Sequence, residues 1–140
     1  MRDGVIVHPV CFAFMSADEM ARASRKSDLY VHAARIEVEG LGALEALRHG
    51  VVPVLACGPL TATSQFALTE ESVFEAGNPR SLARVIDVWI DRGGEARRAE
   101  AVRYRGVEAQ YDIRVCVREL ERVYGWLVGG GEFPGAQPDR

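Results

Sequence analysis

Residues 37–45 read EVEGLGALE, a glycine-rich turn that carries two carboxylates eight residues apart, Glu37 and Glu45. Glycines such as Gly40 and Gly42 let a backbone approach a ligand closely and adopt turns that other residues resist. If a helix begins near Leu41, its unpaired N–H groups and positive dipole end favour an anion such as a phosphate. Carboxylates readily accept hydrogen bonds from two adjacent hydroxyls, as on a ribose or a hexose. The stretch therefore indicates a site for an anion and hydroxyls, or else acids that favour a helix N-terminus and face water.

The segments on either side of this stretch predict a strand, a helix and a second strand. Leucines at 41, 44 and 47 give the helix one apolar stripe, which Gly50 ends. The run VVPVLA at 51–56 is apolar without alternation, which is typical of a parallel strand buried on both faces. The run DLYVHA at 28–33 predicts the preceding strand. Because ligands of such sheets bind outside the carboxyl ends of the strands, residues 37–45 lie where a site is expected.

The rest of the chain predicts further alternation of helices and strands. Ser16 and Glu19 have the spacing of a capping box, and Asn78 before Pro79 is a favoured helix start. The predicted helices span 17–25, 79–90, 95–110 and 113–127, and short strands are expected at 4–8 and 72–74. The helix at 79–90 has a core-facing stripe, and a second strong stripe follows at 113–127. This alternation implies an α/β fold with a mainly parallel sheet of about four strands.

The composition is that of one ordinary globular domain. The chain has 140 residues and a net charge of −3, which gives no reason to expect nucleic acid as a partner. Five arginines lie close together and either solvate a helix, the interpretation we favour, or face an anionic membrane surface. They are Arg92, Arg97, Arg98, Arg103 and Arg105.

Several features bear on where the protein resides. No apolar run approaches the roughly 20 residues of a membrane span, and the N-terminus lacks the features of a signal peptide. Three cysteines, Cys11, Cys57 and Cys116, are widely spaced and form no C-x-x-C pair, so we expect reduced, mostly buried thiols. The prediction is a cytoplasmic protein, with peripheral attachment to the inner membrane face as an open alternative.

Several ordered blocks together resemble one enzyme family. The run 37–45, with EAL at 45–47, Gly50 and PV at 53–54, resembles the E-x7-E motif of the group 1 (family 4) retaining glycosyltransferases. Further blocks similar to that family are DLYV at 28–31, PLTATSQFAL at 59–68 and GNP at 77–79 with LA at 82–83. The resemblance covers roughly residues 5–127. It implies a GT-B type enzyme, of which this chain matches only the later part of the C-terminal, donor-binding domain.

This resemblance refines the expected fold to a partial Rossmann-like three-layer sandwich with C-terminal helices. The partial donor-binding domain is expected at 1–128, and residues 129–140, rich in glycine and proline, are expected to form a disordered tail.

The resemblance also assigns roles to the residues of the stretch. Glu37 matches the family glutamate that contacts the donor sugar and is the expected catalytic residue, and Glu45 matches the one that binds the ribose hydroxyls. Backbone N–H groups of Gly40, Leu41 and Gly42 would meet the sugar and the pyrophosphate. The implied reaction transfers a sugar from a UDP- or GDP-linked donor to an acceptor hydroxyl with retention of configuration. It needs no metal ion or other cofactor.

One departure from the family pattern and one candidate histidine lie near the motif. Glu39 occupies a position where the family usually has an aromatic residue, which places a third acid beside the donor. The histidines are isolated and are more often core or surface residues than ligands. If one of them has a role, His32, just before the motif, is the candidate.

The part of the family architecture that this chain lacks limits the expected activity. The resemblance implies that the acceptor-binding domain, two strands and the basic pair that neutralises the diphosphate are absent, so we expect no activity from this chain alone. The strands at 28–33 and 4–8 would then pair directly, the chain would form a homodimer, or it would be marginally stable.

Three functional hypotheses follow from this sequence. The first is a glycosyltransferase or its donor-binding fragment. The second is a non-catalytic or vestigial nucleotide-sugar-binding module that needs a separate partner half. The third is a generic Rossmann-like protein or interaction domain in which the motif is a coincidence. The acceptor, whether lipid, polysaccharide or small molecule, stays open.

Overall fold

The computed structural model describes residues 12–129. Its strands are β1 (Leu29–His32), β2 (Val52–Cys57) and β3 (Val73–Glu75). Its helices are α1 (Ala17–Lys26), α2 (Leu41–Arg48), α3 (Pro79–Asp91), α4 (Gly93–Ala109) and α5 (Ile113–Gly129). Short 3-10 turns at Thr63–Phe66 and Glu70–Ser72 lie between β2 and β3. The strand predicted at 4–8 and the tail beyond Gly129 lie outside the described residues, whereas Gly129 itself ends α5.

The three strands form one parallel sheet in the order β1-β2-β3. In β1, Leu29 pairs with Val52 and His32 with Leu55, so the two strands end at the same edge. Helix α2 makes the crossover between them, as a parallel connection requires. The predicted α/β fold with a mainly parallel sheet is therefore confirmed for residues 12–129.

Helices cover both faces of the sheet and create two hydrophobic cores. Alternate residues of β2 point to opposite faces, so that Val52 and Val54 pack under α3 against Trp89, while Leu55 packs under α2 against Leu47. Every residue from Val52 to Ala56 is buried, which confirms the strand buried on both faces. The arrangement is the expected partial Rossmann-like, three-layer fold.

The predicted helix starts are confirmed in detail. The Ser16 hydroxyl accepts a hydrogen bond from the Glu19 N–H, and the Glu19 carboxylate accepts one from the Ser16 N–H at 2.8 Å. The Asn78 side chain accepts hydrogen bonds from the N–H groups of Arg80 and Ser81, with Pro79 at the first helical position. Each cap satisfies N–H groups that the helix itself leaves unpaired.

The predicted apolar stripes are only partly buried. On α2 the buried residues are Ala43, Ala46 and Leu47, whereas Leu41 is 61% exposed because it lies in the first turn, at the edge of the sheet. On α3, Trp89 is buried but Ile90 is 54% exposed. Spacing thus identified the buried side of α3, whereas on α2 only Leu47 of the predicted stripe is buried.

Helix α5 forms as predicted, but none of its residues is buried by the rest of the described chain. Its exposed apolar residues recur at helical spacing and include Ile113, Val117, Leu120, Tyr124 and Leu127. Its stripe therefore does not join either core within residues 12–129.

The expectation of mostly buried thiols was wrong for Cys57 and Cys116, which are both exposed. Cys57 is the last residue of β2, where the strand leaves the covered part of the sheet, and Cys116 lies on α5. Cys11 lies outside the described residues.

The arginine-rich segment is partly neutralised by acids of the same chain. Arg97 contacts Asp28 at 2.8 Å, and Arg103 contacts Glu100 at 2.6 Å. Arg92 pairs with Glu71. These pairs fit the interpretation of a solvated, ion-paired helix surface. Between residues 12 and 129, no helix combines the length and the apolar character needed to cross a bilayer.

Candidate functional site

The loop that contains Glu37 leaves β1 at the carboxyl edge of the sheet and is fixed there by backbone hydrogen bonds. The Glu37 N–H donates to the carbonyl of Leu60 at 2.9 Å, and the Ala62 N–H donates to the carbonyl of Glu37 at 2.9 Å. Glu37 and Thr61 thus form an isolated parallel bridge. The loop after β1 and the loop after β2 are joined at the residue whose side chain was predicted to contact a ligand.

The Glu37 carboxylate is held by the backbone at the start of α2. Its Oε1 atom accepts hydrogen bonds from the N–H groups of Gly40 and Glu39, both at 3.2 Å. These bonds, that from Gly40 first, hold the pKa of Glu37 below its ordinary value of 4.5. Glu37 is therefore an ionised acceptor at neutral pH. The Glu39 side chain itself is exposed.

Gly40 needs to be glycine for two reasons. Its φ of 74° lies in the left-handed region, and a Cβ there would lie 2.6 Å from Cγ2 of Thr63 and 3.0 Å from the Phe66 ring. The buried Thr63 hydroxyl in turn donates to the carbonyl of Ala56 at 3.2 Å. This close contact fixes the start of α2 against the end of β2.

The first turn of α2 supplies the N–H groups that the sequence predicted as anion ligands. The Gly40 N–H is already bonded to Glu37, whereas the N–H groups of Leu41 and Gly42 lie in the first turn, where a helix offers no acceptor of its own. At Gly42 a Cβ would lie 2.9 Å from the Tyr30 hydroxyl. Here too, glycine permits a close approach.

Tyr30 lies beside His32 and Gly42, where the charges of both predicted carboxylates act on its phenol. Burial, then the negative charges of Glu45 and Glu37, raise the pKa of the Tyr30 phenol. Its hydroxyl is 2.9 Å from Nδ1 of His32, and Nε2 of His32 is 3.3 Å from Oε2 of Glu37. The structure thus brings Glu37, Glu45 and the glycines to one edge, with Tyr30 and His32 beside them.

Tyr30 is a residue that sequence reasoning missed. The alternation of side chains along a β-strand could have pointed to it, because that alternation places residues 30 and 32 on the same face of β1, directly before the motif. His32 was the histidine singled out by position, and it is the one that contacts Glu37.

A cavity of about 700 Å³ opens between α1 and α2 on the Glu45 side of Tyr30. Its lining includes Tyr30, Gly42, Glu45, Arg25 and His49. That volume lies in the range of small-molecule sites. Glu37 is not among the residues that line this cavity. In the described part of the chain, no group of three or more His, Cys, Asp and Glu side chains is placed to hold a metal ion.

Comparison with solved structures gives a match to the catalytic domain of cholesterol-alpha-glucosyltransferase from Helicobacter pylori. The sequence identity is 39% and the TM-score 0.65, over 71% of this chain and 62% of that one. This chain is similar to part of a glycosyltransferase. It spans less than two thirds of that catalytic domain, so the match concerns a portion of the enzyme.

No protein-family model matches the chain, and no curated protein does. This similarity supports the resemblance to glycosyltransferases in general that was noted from the sequence. Family 4, the C-terminal domain and the roles of single residues stay predictions.

Proposed function

We propose that this chain is the donor-binding part of a glycosyltransferase that transfers a sugar from a nucleotide sugar to an acceptor hydroxyl with retention of configuration. The observation that carries the proposal is the 39% identity to a glycosyltransferase catalytic domain, together with the E-x7-E stretch at the carboxyl edge of a parallel sheet. The related enzyme is named for a glucosyl transfer involving cholesterol. For this chain we propose a UDP- or GDP-linked hexose as donor and leave the acceptor as a hydroxyl.

The proposed roles are those that the family resemblance implies, and the geometry at the edge of the sheet supports them. The ionised carboxylate of Glu37 accepts hydrogen bonds from hydroxyls of the donor sugar, with its own orientation set by Gly40 and Glu39. Glu45, on the cavity side of Tyr30, accepts from the ribose hydroxyls. The free N–H groups of Leu41 and Gly42 face the diphosphate.

These groups also stabilise the bond-breaking step. As the sugar leaves the diphosphate, negative charge grows on the phosphate oxygens, and preorganised N–H donors at the start of α2 stabilise that charge. Helix N–H groups alone provide modest stabilisation. We therefore propose that turnover requires a separate half that supplies the acceptor site and positive charge.

The alternative is a non-catalytic module that binds the nucleotide sugar and works with a partner half. The same residues would bind the donor in both cases, and generic Rossmann-like binding with a coincidental motif is disfavoured by the 39% identity. Turnover after addition of an acceptor-binding half would distinguish the enzyme from the module.

Isothermal calorimetry with UDP-glucose and GDP-mannose tests the donor site. We expect one of them to bind the wild type and Glu45→Ala to bind it at least about tenfold more weakly, since a hydrogen bond to a charged group is lost. Glu121→Ala is the matched control, because this exposed acid lies on α5, away from the site. Equal affinities of wild type and Glu45→Ala, or no binding by the wild type, would contradict the proposal.

A further inference from the structure

Three side chains form a continuous row along the edge that leads to Glu37. Tyr30 and His32 share a face of β1, and the Tyr30 hydroxyl lies 2.9 Å from Nδ1 of His32. On the other side of the ring, Nε2 of His32 lies 3.3 Å from Oε2 of Glu37. The row runs from beneath the first turn of α2, where Tyr30 meets Gly42, to the loop that carries the carboxylate.

The two oxygens of Glu37 have different surroundings. Oε1 accepts from the backbone N–H groups of Glu39 and Gly40, whereas Oε2 is the oxygen that faces the imidazole. The His32 side chain is only 13% exposed, and its buried Nε2 makes no hydrogen bond of good geometry to any group between residues 12 and 129. A buried nitrogen without a partner is costly, and a small rotation of the neighbouring carboxylate removes that cost.

The contacts select one tautomer of His32. If Nδ1 carried the hydrogen, the bare Nε2 would face a carboxylate oxygen, and two acceptors would meet without a proton between them. If the Tyr30 hydroxyl donates to Nδ1, the hydrogen resides on Nε2 and points at Oε2 of Glu37. Of the two neutral tautomers, only the second gives each of the three side chains a compatible neighbour. A doubly protonated ring, with the Tyr30 hydroxyl accepting from Nδ1–H, also directs Nε2–H at Oε2 of Glu37.

We propose that His32, oriented by Tyr30, is a positioning residue that directs Oε2 of Glu37. This inference rests on the proposed function, in which Glu37 contacts the donor sugar. With Oε1 fixed by the backbone and Oε2 by the imidazole, the carboxylate keeps one orientation toward the sugar hydroxyls. The Tyr30 hydroxyl also meets Gly42, so the row joins the first turn of α2 to the carboxylate of Glu37.

Two substitutions of His32 separate positioning from packing. The amide nitrogen of Gln reaches the position of Nε2 and can donate to Glu37, whereas that of Asn reaches only the position of Nδ1. We expect His32→Gln to bind the donor within about threefold of wild type and His32→Asn about tenfold more weakly. Calorimetry with UDP-glucose and GDP-mannose measures the affinities, and thermal melts establish that both variants are folded. Equal weakening by both folded variants would overturn the inference.

A second measurement needs no donor. Nitrogen-15 NMR of the imidazole reports which ring nitrogen carries the hydrogen. We expect the Nε2–H tautomer in the wild type, a shift of Nδ1 in Tyr30→Phe and a shift of Nε2 in Glu37→Gln. His49, whose Nδ1 lies beside Arg25, is the internal control and should not respond. A His32 signal that responds to neither substitution overturns the inference even if donors bind. A responsive His32 in a protein that binds neither donor overturns the proposed function alone.

Discussion

At the residue scale, the chemistry of the site depends on how backbone groups hold Glu37. A lone surface glutamate samples many rotamers, but here two N–H groups bond one oxygen and an imidazole faces the other. Gly40 supplies one of these two N–H groups, and its left-handed backbone leads the chain from this loop into α2.

The pKa of the Tyr30 phenol responds to the charges of both carboxylates, Glu45 and Glu37. Because burial and the charges of Glu45 and Glu37 raise its pKa, the folded chain keeps the phenol neutral to higher pH than the unfolded chain does. The associated stability is fully present below the unfolded pKa of about 10 and is lost as pH rises through the folded pKa. We expect Glu45→Gln to lower the pKa of Tyr30 more than Glu37→Gln does. Alkaline titration of tyrosinate absorbance, with Tyr30→Phe subtracted, measures it, and an unchanged pKa in both variants would contradict the placement.

The sequence predicted part of this site. The spacing of Glu37, Glu45 and the glycines, and the position after a parallel strand, predicted that these groups lie at the carboxyl edge of the sheet, where the structure places them. The contact of Gly40 with Thr63 joins segments more than twenty residues apart, and no local pattern predicts which side chain fills the space above a glycine. The link from Tyr30 to Glu37 through His32 depends in the same way on where the loop after β1 folds back.

At the scale of elements, the positions of the helices were predicted more reliably than the elements against which they pack. The caps at Ser16 and Asn78 are local, so four or five residues specify them fully. The stripe of α3 and that of α5 look alike in sequence, yet Trp89 on α3 is 1% exposed and Leu120 on α5 is 50% exposed. A periodic stripe predicts which face of a helix is apolar and gives no information on what covers it.

Since none of the residues of α5 is buried, this helix should contribute little to stability. We expect a chain ending at Asp112 to lose about 1 kcal/mol or less of unfolding free energy, because no buried side chain is removed. Trp89→Ala should lose about 3–5 kcal/mol, since it empties a packed core. Urea unfolding followed by circular dichroism compares the two. A loss from truncation as large as that of Trp89→Ala would show that α5 packs more tightly than its exposure indicates.

At the scale of the whole molecule, α4 joins the two cores. Ala101 packs with Trp89 and Val54 on one face of the sheet, and Tyr104 packs with Leu47 and Leu55 on the other. The Tyr104 hydroxyl also accepts a hydrogen bond from the Leu68 N–H at 3.1 Å. A helix shared in this way couples the two faces, so the two cores should unfold as one unit.

Tyr104→Ala tests that coupling. We expect a loss of about 3–5 kcal/mol, as for other large buried aromatic residues, with Trp89 on the opposite face becoming exposed at the same midpoint as helicity is lost. A Trp126→Phe background leaves Trp89 as the sole tryptophan, so its fluorescence reports one face. Val102→Ala, at an exposed position of the same helix, is the control and should change little. Separate midpoints for fluorescence and circular dichroism would contradict the single unit.

The bridge between Glu37 and Thr61 also constrains how this protein can diverge. Two backbone hydrogen bonds set the register between the loops after β1 and β2, so adding or deleting a residue in either loop would displace the carboxylate or break the bridge. The side chains of Pro59 and Leu60 are not restricted in this way, because both are exposed. Only the backbone carbonyl of Leu60 takes part in the bonding. We therefore expect related sequences to differ in residue type at positions 59 and 60 but to keep the same loop lengths.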